Sequence, residues 1–479
     1  MDEEKKKRFT NAFSTDDLVV RPIDTPCFSA CLFYLDGMTD AERLEQEVIK
    51  PLLRTEKAVA PTKDGLLAVI SFSGNVKCGS EQDAINAVAA GDAVLLIDEY
   101  FLLSSRKSSA RAVTEPPTTS VVKGPRAGFV EDVKTNMVLL RQKIRSNRLI
   151  YETLPIGTVS ATTVVLAYVD GITPVSTVES IKKRLTDIEI DGIMDSSYVA
   201  KIIEQRPYSI FKQIGSSEKV DVVASKLLDG RVAILADGSP IVLTIPFLLI
   251  EDFEDSQDLY KKPALVDFSR LVRLFGVFFA LFLPAAFVAV QSHQYQILPL
   301  QLMITILDAT GGIPFSPTLE MIIALLLFEI LSEASIRMPK HVGMALSVVG
   351  AIVLGQTAVE AGFLSSLTVL IVAMSGIGIF TVPDQVGVIS TLRIFAVVVA
   401  GLLGVYGILL FTLAVLAYLS EMSSFGVPYL APFAPIEGDD IKDALLKQSL
   451  RDRRTRPYSY PLQNKTRLKT GGAHERNRR

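Results

Sequence analysis

The stretch LFGVFFALFLPAAFVAV, residues 274–290, contains no ionisable side chain and follows a long region in which charged and apolar residues are interspersed. A helix needs about 20 mostly apolar residues to cross the ~30 Å hydrocarbon core of a bilayer, because each residue advances it by only about 1.5 Å. Pro284 is tolerated in such a helix where neighbouring helices cover the freed carbonyl. The stretch therefore predicts a membrane-spanning helix joined to a large polar region.

The distribution of charge extends this prediction to the rest of the chain. Residues 271–419 contain only ten charged side chains, whereas the residues before them and the C-terminal tail are rich in charge. Strong hydrophobic segments occur at 271–290, 342–361, 364–383 and 393–419, and a weaker one at 319–336. Each strong segment has about the length of a membrane span. The second half of the chain is thus predicted to be an all-α polytopic membrane domain.

The N-terminal half shows an internal repeat. ACLFYLDGMTDAERLEQEVIKPLL (30–53) and TVVLAYVDGITPVSTVESIKKRL (163–185) both predict a strand, an Asp-Gly turn and a helix. A strand-rich run follows each at a similar distance, GDAVLLIDEYFLL (91–103) and DGRVAILADGSPIVLTI (229–245). Two related α/β subdomains are expected, joined by an amphipathic helix with Val133, Met137, Leu140 and Ile144 on one face.

These patterns divide the chain into five parts. They are a flexible N-terminus (1–20), α/β subdomain 1 (21–145), α/β subdomain 2 (146–265), a transmembrane helical domain (266–437) and a basic cytosolic tail (438–479). The N-terminus lacks the apolar run of a cleavable signal peptide, so the α/β region is expected to stay in the cytosol.

Several functional classes are not supported. The net charge of −3, without a basic stripe interleaved with aromatic residues, argues against nucleic-acid binding. Cys27, Cys31 and Cys78 have neither the number nor the spacing of a disulfide framework or a zinc site. Serine and cysteine side chains lack a nearby base, so no catalytic site, metal or cofactor is predicted. A secondary transporter would show paired broken helices with inverted symmetry, which the segments do not.

Polar residues inside the hydrophobic segments are the candidate functional residues. The candidates for lining a pore or polar cavity are Glu329, Glu333, Gln356 and Glu360. The small residues Gly343, Ser347, Ala351 and Gly355 recur every four positions, as on a helix face that packs closely against another helix. Two interpretations remain open: these polar groups face a water-filled passage, or Glu333 simply pairs with Arg337 while Glu360 ends its span at the headgroups.

The charges flanking the segments bear on topology. Arg270 and Arg273 precede the first span, and the tail from Arg451 onward is strongly basic, so both ends are expected on the cytosolic side. Four spans with 319–336 re-entrant or interfacial satisfy this, and leave Arg337, Lys340 and Arg393 outside. Five spans put those three inside and the basic tail outside. The four-span arrangement is favoured because the tail carries more positive charge.

Five strings spread along the chain carry a resemblance to a known family. They are GPRAGFVEDVKTNMVLLRQKI (124–144), VDGITP (169–174), FALFLPAAFVAV (279–290), MPKHVGMALSVVGAIVLGQTAVEAG (338–362) and SSFGVPYLAPFAP (423–435). Together they resemble the A subunits of GerA-type spore germinant receptors and their sporulation paralogues, over about residues 20 to 437. Ala127 departs from the family, which usually has an acidic residue after Gly-Pro-Arg.

The resemblance implies a multi-pass protein of the inner membrane of the bacterial endospore, with its N-terminal domain in the cytosol. It implies two partners, a transporter-like B subunit and a lipoprotein C subunit, and self-association into a homo-oligomeric, ligand-gated cation channel that triggers germination. The alternative is an accessory sporulation paralogue, which amplifies germination as a scaffold or channel without its own nutrient-binding partner.

Overall fold

The computed structural model describes residues 3–25, 28–55, 62–107, 123–339, 350, 352–449 and 453–467. The chain forms two compact units. The α/β unit comprises Met1–Phe247, Ser424–Val427 and Leu450–Arg479, and the helical unit comprises Leu248–Ser423 and Pro428–Ser449. The predicted fold class, an α/β region of two related subdomains followed by a helical region with apolar helices, is confirmed.

Repeat 1, residues 3–107, is built on a five-stranded antiparallel sheet. Its strands are β1 (Leu18–Asp24), β2 (Ser29–Leu35), β3 (Val76–Gly79), β4 (Ala93–Leu96) and β5 (Tyr100–Leu103), in the spatial order β1-β2-β4-β5-β3. Its helices are α1 (Glu3–Asn11), α2 (Ala41–Leu44), α3 (Lys50–Arg54), α4 (Lys63–Leu67) and α5 (Glu81–Ala89), with a π-helical turn, Glu45–Ile49, between α2 and α3.

Repeat 2, residues 123–247, has the same architecture. Its strands are β6 (Leu149–Ile156), β7 (Thr162–Val169), β8 (Gly215–Ser217), β9 (Val232–Ala236) and β10 (Val242–Ile245), in the order β6-β7-β9-β10-β8. Its helices are α6 (Val133–Lys143), α7 (Val175–Thr186), α8 (Ser196–Ile203) and α9 (Val220–Leu228). This strand order equals that of repeat 1 with each number raised by five, so the two sheets share one topology.

The two Asp-Gly turns occupy equivalent places. Asp36-Gly37 follows β2 and Asp170-Gly171 follows β7, and both glycines have a positive φ, +77° and +68°. The N–H of Asp36 donates to the Asp17 carbonyl at 2.9 Å, and that of Asp170 donates to the Arg148 carbonyl at 2.8 Å. The acceptor is in each case the residue before the first strand of the repeat. The predicted equivalence of the turns is therefore confirmed.

Each sheet is buried on both faces, which explains the nearly continuous apolar runs. In β2, Leu32 belongs to the core on one side of the sheet, and its neighbour Phe33 to the core on the other. Val165 and Val164 divide in the same way in β7. Successive side chains of a strand point to opposite faces, so a sheet covered on both sides needs apolar residues at every position. The apolar face predicted for α6 packs against the repeat 2 core.

A buried ion pair joins the start of repeat 1 to α6. The guanidinium of Arg141 donates to both carboxylate oxygens of Asp17, at 2.8 and 2.7 Å, and both residues are buried. Its Nη1 also donates to the Ser146 carbonyl at 3.1 Å, and its Nη2 to the Thr15 hydroxyl at 3.1 Å. A buried ion pair is stable when the two groups pair in bidentate fashion and further acceptors satisfy the remaining N–H groups of the arginine.

A short late segment of the chain returns to repeat 2. The Ser424 hydroxyl accepts from the Phe247 N–H at 3.0 Å and donates to the Gln213 carbonyl at 3.0 Å. Phe425, with φ +48°, enters the core between α7 and the sheet, where the Arg184 guanidinium lies 5.2 Å from its ring centroid. Ser424–Val427 thus serves as part of the α/β unit.

The helical unit consists mainly of helices, and the long ones are apolar. Its helices are α10 (Pro263–Ser292), α11 (Leu300–Thr310), α12 (Pro317–Arg337), α13 (Ala358–Glu360), α14 (Ser366–Ile379), α15 (Val386–Glu421) and α16 (Gly438–Leu445), with a π-helical turn at Val353–Thr357. Among the described residues, two helical stretches are long and apolar enough to cross a membrane, Pro263–Ser292 and Pro383–Glu421.

The stretch labelled α15 consists of two helical arms, 386–403 and 405–421, which form a hairpin. Gly404 has φ 62° and ψ −144°, which interrupts the helix. A Cβ atom on Gly407 would lie 2.5 Å from the Val399 carbonyl oxygen, although residues eight apart in one straight helix are separated by about 12 Å along its axis. The second arm therefore folds back along the first.

Contacts at the two ends of α10 show the same reversal. The N–H of Val405 donates to the Gln294 side chain at 3.3 Å, just beyond the C-terminus of α10. After the second arm, the Tyr429 carbonyl accepts from the Leu249 N–H at 3.1 Å, and the Ala444 carbonyl accepts from Arg270 at 2.7 Å, near the N-terminus of α10. The expected single span at 393–419 is thus wrong: apolar residues continue through the turn, so hydropathy does not reveal it.

Candidate functional site in the helical unit

Arg393 lies at the centre of a polar network that joins four helices. Its side chain, on the first arm of α15, is fully buried. Its Nη2 donates to the Glu329 carboxylate of α12, and its Nη1 donates to the Ser375 hydroxyl of α14 at 2.7 Å. The Ser375 hydroxyl in turn donates to the Ala280 carbonyl of α10 at 2.8 Å. A single guanidinium therefore links α10, α12, α14 and α15.

An aromatic ring also lies against the Arg393 side chain. Its guanidinium lies 5.5 Å from the centroid of the Phe328 ring, a cation–π arrangement that partly replaces lost hydration. Its Nε is buried and has no hydrogen-bond partner among the described residues. A buried arginine with one unsatisfied N–H depends strongly on its single carboxylate, because removing that partner leaves an uncompensated charge.

Glycines let the helices approach closely around this network. A Cβ atom on Gly376 would lie 2.5 Å from the Phe328 ring, and one on Gly378 would overlap the carbonyl oxygen of Gly276 on α10. On the first arm of α15, a Cβ atom at Gly401 would overlap Thr318 of α12. Small residues at helix contacts allow such backbone approach. Close helix packing around the network therefore depends on glycines that the sequence analysis did not select.

Glu320 forms a second buried polar contact. Its side chain is almost fully buried, and its Oε1 accepts from the backbone N–H of Ser365 at 2.7 Å. Ser365 is the N-cap of α14 and accepts from the Thr368 N–H at 3.1 Å. A carboxylate at a helix N-terminus is stabilised by the unsatisfied N–H groups and the helix dipole. The carboxylate of Glu320 is thus bound within the helical unit and does not reach its surface.

The predicted site residues lie at separate places. Glu329 pairs with Arg393, whereas Glu333, one turn later, pairs with Arg337 at 2.5 Å on the exposed surface. Gln356 and Glu360 are also exposed. The structure does not bring Glu329 together with the other three in one described cluster.

The predicted small-residue face is only partly described. Gly343, Ser347 and Ala351 lie outside the described residues. Gly355 belongs to the π-helical turn, and a Cβ atom placed on it would meet no described atom within 4 Å. The packing role of this face stays a prediction.

Arg393 does not lie at the start of its helix, as the segment 393–419 predicted. The four-span interpretation placed it outside, at the start of a span. The helix instead begins at Val386 and carries Arg393 two turns into its buried face. The sequence did contain a signal for this buried position. Arg393 lies seven residues after Val386 within an apolar run, and a charged side chain inside such a run requires a buried partner.

A second group of charges fixes the N-terminus of α10. Arg273 donates to both carboxylate oxygens of Asp258, at 2.9 and 3.0 Å, and Arg270 donates to Glu254 at 2.7 Å. Burial by itself raises the pKa of the Asp258 carboxyl, but the hydrogen bonds and positive charge of Arg273 outweigh it, so that this pKa is lower than usual. Asp258 is therefore a buried carboxylate held ionised by its arginine partners.

Comparison with known proteins identifies the family. Residues 4–459 match the family described as Bacillus/Clostridium GerA spore germination protein. The chain is 33% identical to the uncharacterized membrane protein YfkQ of Bacillus subtilis (strain 168) over 439 residues, which cover 90% of this chain and 86% of YfkQ. It is 32% identical to spore germination protein KA of the same organism over 468 residues, covering 95% of this chain and 85% of that protein.

Among solved structures, the chain is similar to the N-terminal domain of the A subunit of the Bacillus megaterium spore germinant receptor GerK3. The two are 26% identical with a TM-score of 0.37, and the match covers 50% of this chain and 91% of that domain. The family match itself extends over both units and nearly the whole length of the chain. On that match and the two relatives, the chain belongs to the GerA family of spore germination proteins.

Proposed function

We propose that the protein is the A subunit of a nutrient germinant receptor in the inner membrane of a bacterial endospore. The observation that carries the proposal is the match of residues 4–459 to the GerA family, which includes the α/β unit and the helical unit alike. Spore germination protein KA aligns over 95% of this chain, so the proposal concerns the whole molecule and not one unit of it. Its α/β unit is cytosolic, and its helical unit spans the membrane.

Contacts within each unit support a cytosolic position for both chain ends. Tail residue Leu462 is buried against Gly230 of repeat 2, so the tail and repeat 2 lie on one side of the membrane. The helical unit must then cross the membrane an even number of times. The hairpin at Gly404 supports this count, because its two arms of about 17 residues contribute a pair of crossings.

The polar groups suggest how charge is arranged in a homo-oligomer. Glu329 is neutralised inside its own subunit by Arg393, so it serves to hold the helices together. Glu333, Gln356 and Glu360 are exposed and are the groups that could line a cation passage shared between copies. Rings of carboxylates favour cations in pores. In this proposal the transporter-like B subunit and the lipoprotein C subunit complete the receptor and supply nutrient recognition.

The experiment is deletion of the gene and measurement of spore germination with single nutrients, by loss of refractility and release of monovalent cations. Loss of the response to at least one nutrient, restored by the native gene, is the expected result. Complementation with a double variant, Glu333→Gln with Glu360→Gln, tests the channel: we expect assembly to persist while cation release slows. Deletion spores that respond normally to every nutrient would contradict the receptor function.

A second candidate function rests on one observation. YfkQ, a relative with 33% identity, is an uncharacterized membrane protein, so similarity to it supports membership of the family and not a receptor role in particular. In this second candidate function, the chain is an accessory paralogue that amplifies germination without its own nutrient-binding partner. Affinity purification from spores distinguishes the two: a receptor subunit copurifies with B-type and C-type subunits, and the paralogue does not.

A further inference from the structure

The tail segment 453–467 is not a free basic tail, because it forms a small hairpin seated on repeat 2. Thr455 bridges to Thr466, the Arg456 N–H donates to the Lys465 carbonyl at 2.8 Å, and the Arg467 N–H donates to the Arg454 carbonyl at 2.9 Å. These bonds lie within the segment. The hairpin therefore has a backbone structure of its own, separate from the sheet of repeat 2.

Five residues of repeat 2 receive this hairpin, and we call them the tail edge: Ile172, Leu228, Asp229, Gly230 and Arg231. The Ile172 carbonyl accepts from the Gln463 N–H at 3.2 Å, and Asp229 accepts from Arg467 at 2.6 Å. Leu462 is buried against Gly230, where a Cβ atom would overlap its side chain. The Arg231 guanidinium lies 4.9 Å from the centroid of the buried Tyr460 ring.

Arginines of the tail add contacts to the same edge. Arg456 is buried, and its Nε donates to the Leu228 carbonyl at 2.8 Å. Arg453 lies 3.7 Å from the second carboxylate oxygen of Asp229. Between 453 and 467 the tail carries five basic side chains and no acidic one. The tail edge therefore fits a cationic segment with two apolar anchors.

Repeat 1 has an equivalent edge, which is also covered by another segment of the chain. Met38 and Ile172 are equivalent, since each follows the glycine of its Asp-Gly turn. The Met38 carbonyl accepts from the Lys107 N–H at 2.9 Å, just as the Ile172 carbonyl accepts from Gln463. Asp92, in the helix–strand turn that corresponds to Asp229-Gly230, accepts from Arg106 at 2.8 Å. In repeat 1 the edge is thus covered by residues 104–107.

The covering segments differ in how the chain supplies them. Residues 104–107 directly follow β5, whereas after β10 the chain continues from Phe247 into the helical unit. The equivalent edge of repeat 2 is covered by residues that come about 200 positions later. No residue of the segment 453–467 belongs to either buried core cluster of repeat 2. The tail touches the first cluster only at its border, through Ile172, and supplies no member of either cluster.

We propose that the tail edge is a binding site for a cationic peptide segment with apolar anchors, and that its resident occupant is the chain's own tail, residues 453–467. The tail binds as a separable strap. It opens and closes by local unfolding while repeat 2 stays folded, as low-stability segments at the periphery of a domain do. The proposal rests on contacts within the α/β unit and does not depend on the proposed receptor function.

Hydrogen exchange of the purified full-length chain tests the strap. We expect the tail amides to exchange at least tenfold more slowly than those of a free peptide with the sequence of 453–467. Asp229→Asn and Leu462→Ala should each accelerate tail exchange at least tenfold and leave β9 unchanged. Asp92→Asn, at the equivalent edge of repeat 1, is the matched control and should not affect the tail. Because Leu462 lies in the strap and outside both core clusters, its variant tests release even if Asp229→Asn fails to fold.

Binding of a separate peptide tests the site itself. A fluorescent peptide of residues 453–467 should bind the full-length Leu462→Ala chain, and a version with Arg456→Gln and Arg467→Gln should bind at least tenfold more weakly. The proposal would be overturned by tail amides that exchange at the free-peptide rate, by tail and β9 amides that open together at one rate, or by equal binding of both peptides. Tail protection that disappears on dilution would assign the tail to another copy, which also contradicts it.

Discussion

Glu329 and Arg393, 64 positions apart, form an ion pair inside the helical unit, and Arg393 is fully buried there while Glu329 is only partly exposed. The same guanidinium holds the Ser375 hydroxyl, which holds the Ala280 carbonyl. Because four helices meet at this point, the pair sets the mutual position of α10, α12, α14 and the first arm of α15.

Removal of one partner of this pair should be far more damaging than removal of both. Glu329→Gln leaves the buried Arg393 charge without its carboxylate, and we expect a loss of about 3–5 kcal/mol of stability. The double variant Glu329→Leu with Arg393→Leu should recover much of that loss. Thermal unfolding in detergent measures both.

Glu333→Gln is the matched control on the same helix. Its ion pair with Arg337 is exposed, so a loss of stability below about 1 kcal/mol is expected. Equal losses at Glu329 and Glu333 would contradict a structural role for the buried pair.

Gly404 should tolerate no side chain. Its φ of 62° and ψ of −144° are almost exclusive to glycine, and a Cβ atom there would lie 2.7 Å from the Gln294 side chain. Gly404→Ala should therefore cost about 1–3 kcal/mol from backbone strain alone. Gly387→Ala provides the control in the same helix, since a Cβ atom there meets no described atom within 4 Å. We expect it to be neutral or stabilising by up to about 1 kcal/mol. Thermal unfolding compares the two, and a Gly404→Ala protein as stable as Gly387→Ala would contradict the hairpin.

The contrast between the repeats and Gly404 shows what the sequence could reveal. The LDGMT and VDGIT strings predicted equivalent turns, because a positive φ after a buried strand favours glycine and leaves a local signal. The turn at Gly404 lies between two apolar arms, and hydropathy does not change across it. Its only local signal is the spacing of Gly401, Gly404 and Gly407 at every third position.

The partners of charged residues were less predictable than the elements. Glu329 was predicted as a candidate to line a pore or polar cavity, but it pairs with Arg393, which comes from a helix far along the chain. The tail was interpreted by its net charge, which gave no indication of the contacts of Tyr460 and Leu462 with repeat 2. Long-range pairs depend on tertiary packing, which neither spacing nor composition encodes.

Cysteine accessibility should show that both ends of the hairpin lie on one side of the membrane. Asp384→Cys and Glu421→Cys mark the ends, and Leu403→Cys marks the turn; all three positions are exposed. In intact cells, we expect a membrane-impermeant maleimide to label position 403 and to reach 384 and 421 only after permeabilisation. Labelling of 384 and 421 from opposite sides would indicate a single crossing instead.

The ion pair of Asp258 with Arg273 predicts a pH-dependent contribution to stability. The pKa of Asp258 is lower than usual in the folded protein, because the hydrogen bonds from Arg273 outweigh the effect of burial. The contribution is therefore complete above the ordinary carboxyl pKa of about 4, and is lost as the pH falls through the folded value. The unfolding temperature of Asp258→Asn should lie well below that of the native chain at pH 7, and the gap should narrow toward pH 3. The exposed Asp308→Asn should show little difference at either pH, and a gap at Asp258 that stays constant would contradict the prediction.

Helix α6 provides a matched pair of ionic contacts for the α/β unit. Arg141 is buried and bidentate to Asp17, whereas Lys134 on the same helix pairs with Asp36 at 3.3 Å and is three-quarters exposed. Arg141→Met leaves the Asp17 carboxylate buried without its cation, so we expect a loss of about 3–5 kcal/mol. Lys134→Met removes a solvated pair and should change stability by less than about 1 kcal/mol. Urea unfolding of the full-length chain, followed by hydrogen exchange in β1 and β6, measures both. If the two variants are equally stable, the joint between residue 17 and α6 does not hold the start of repeat 1 in place.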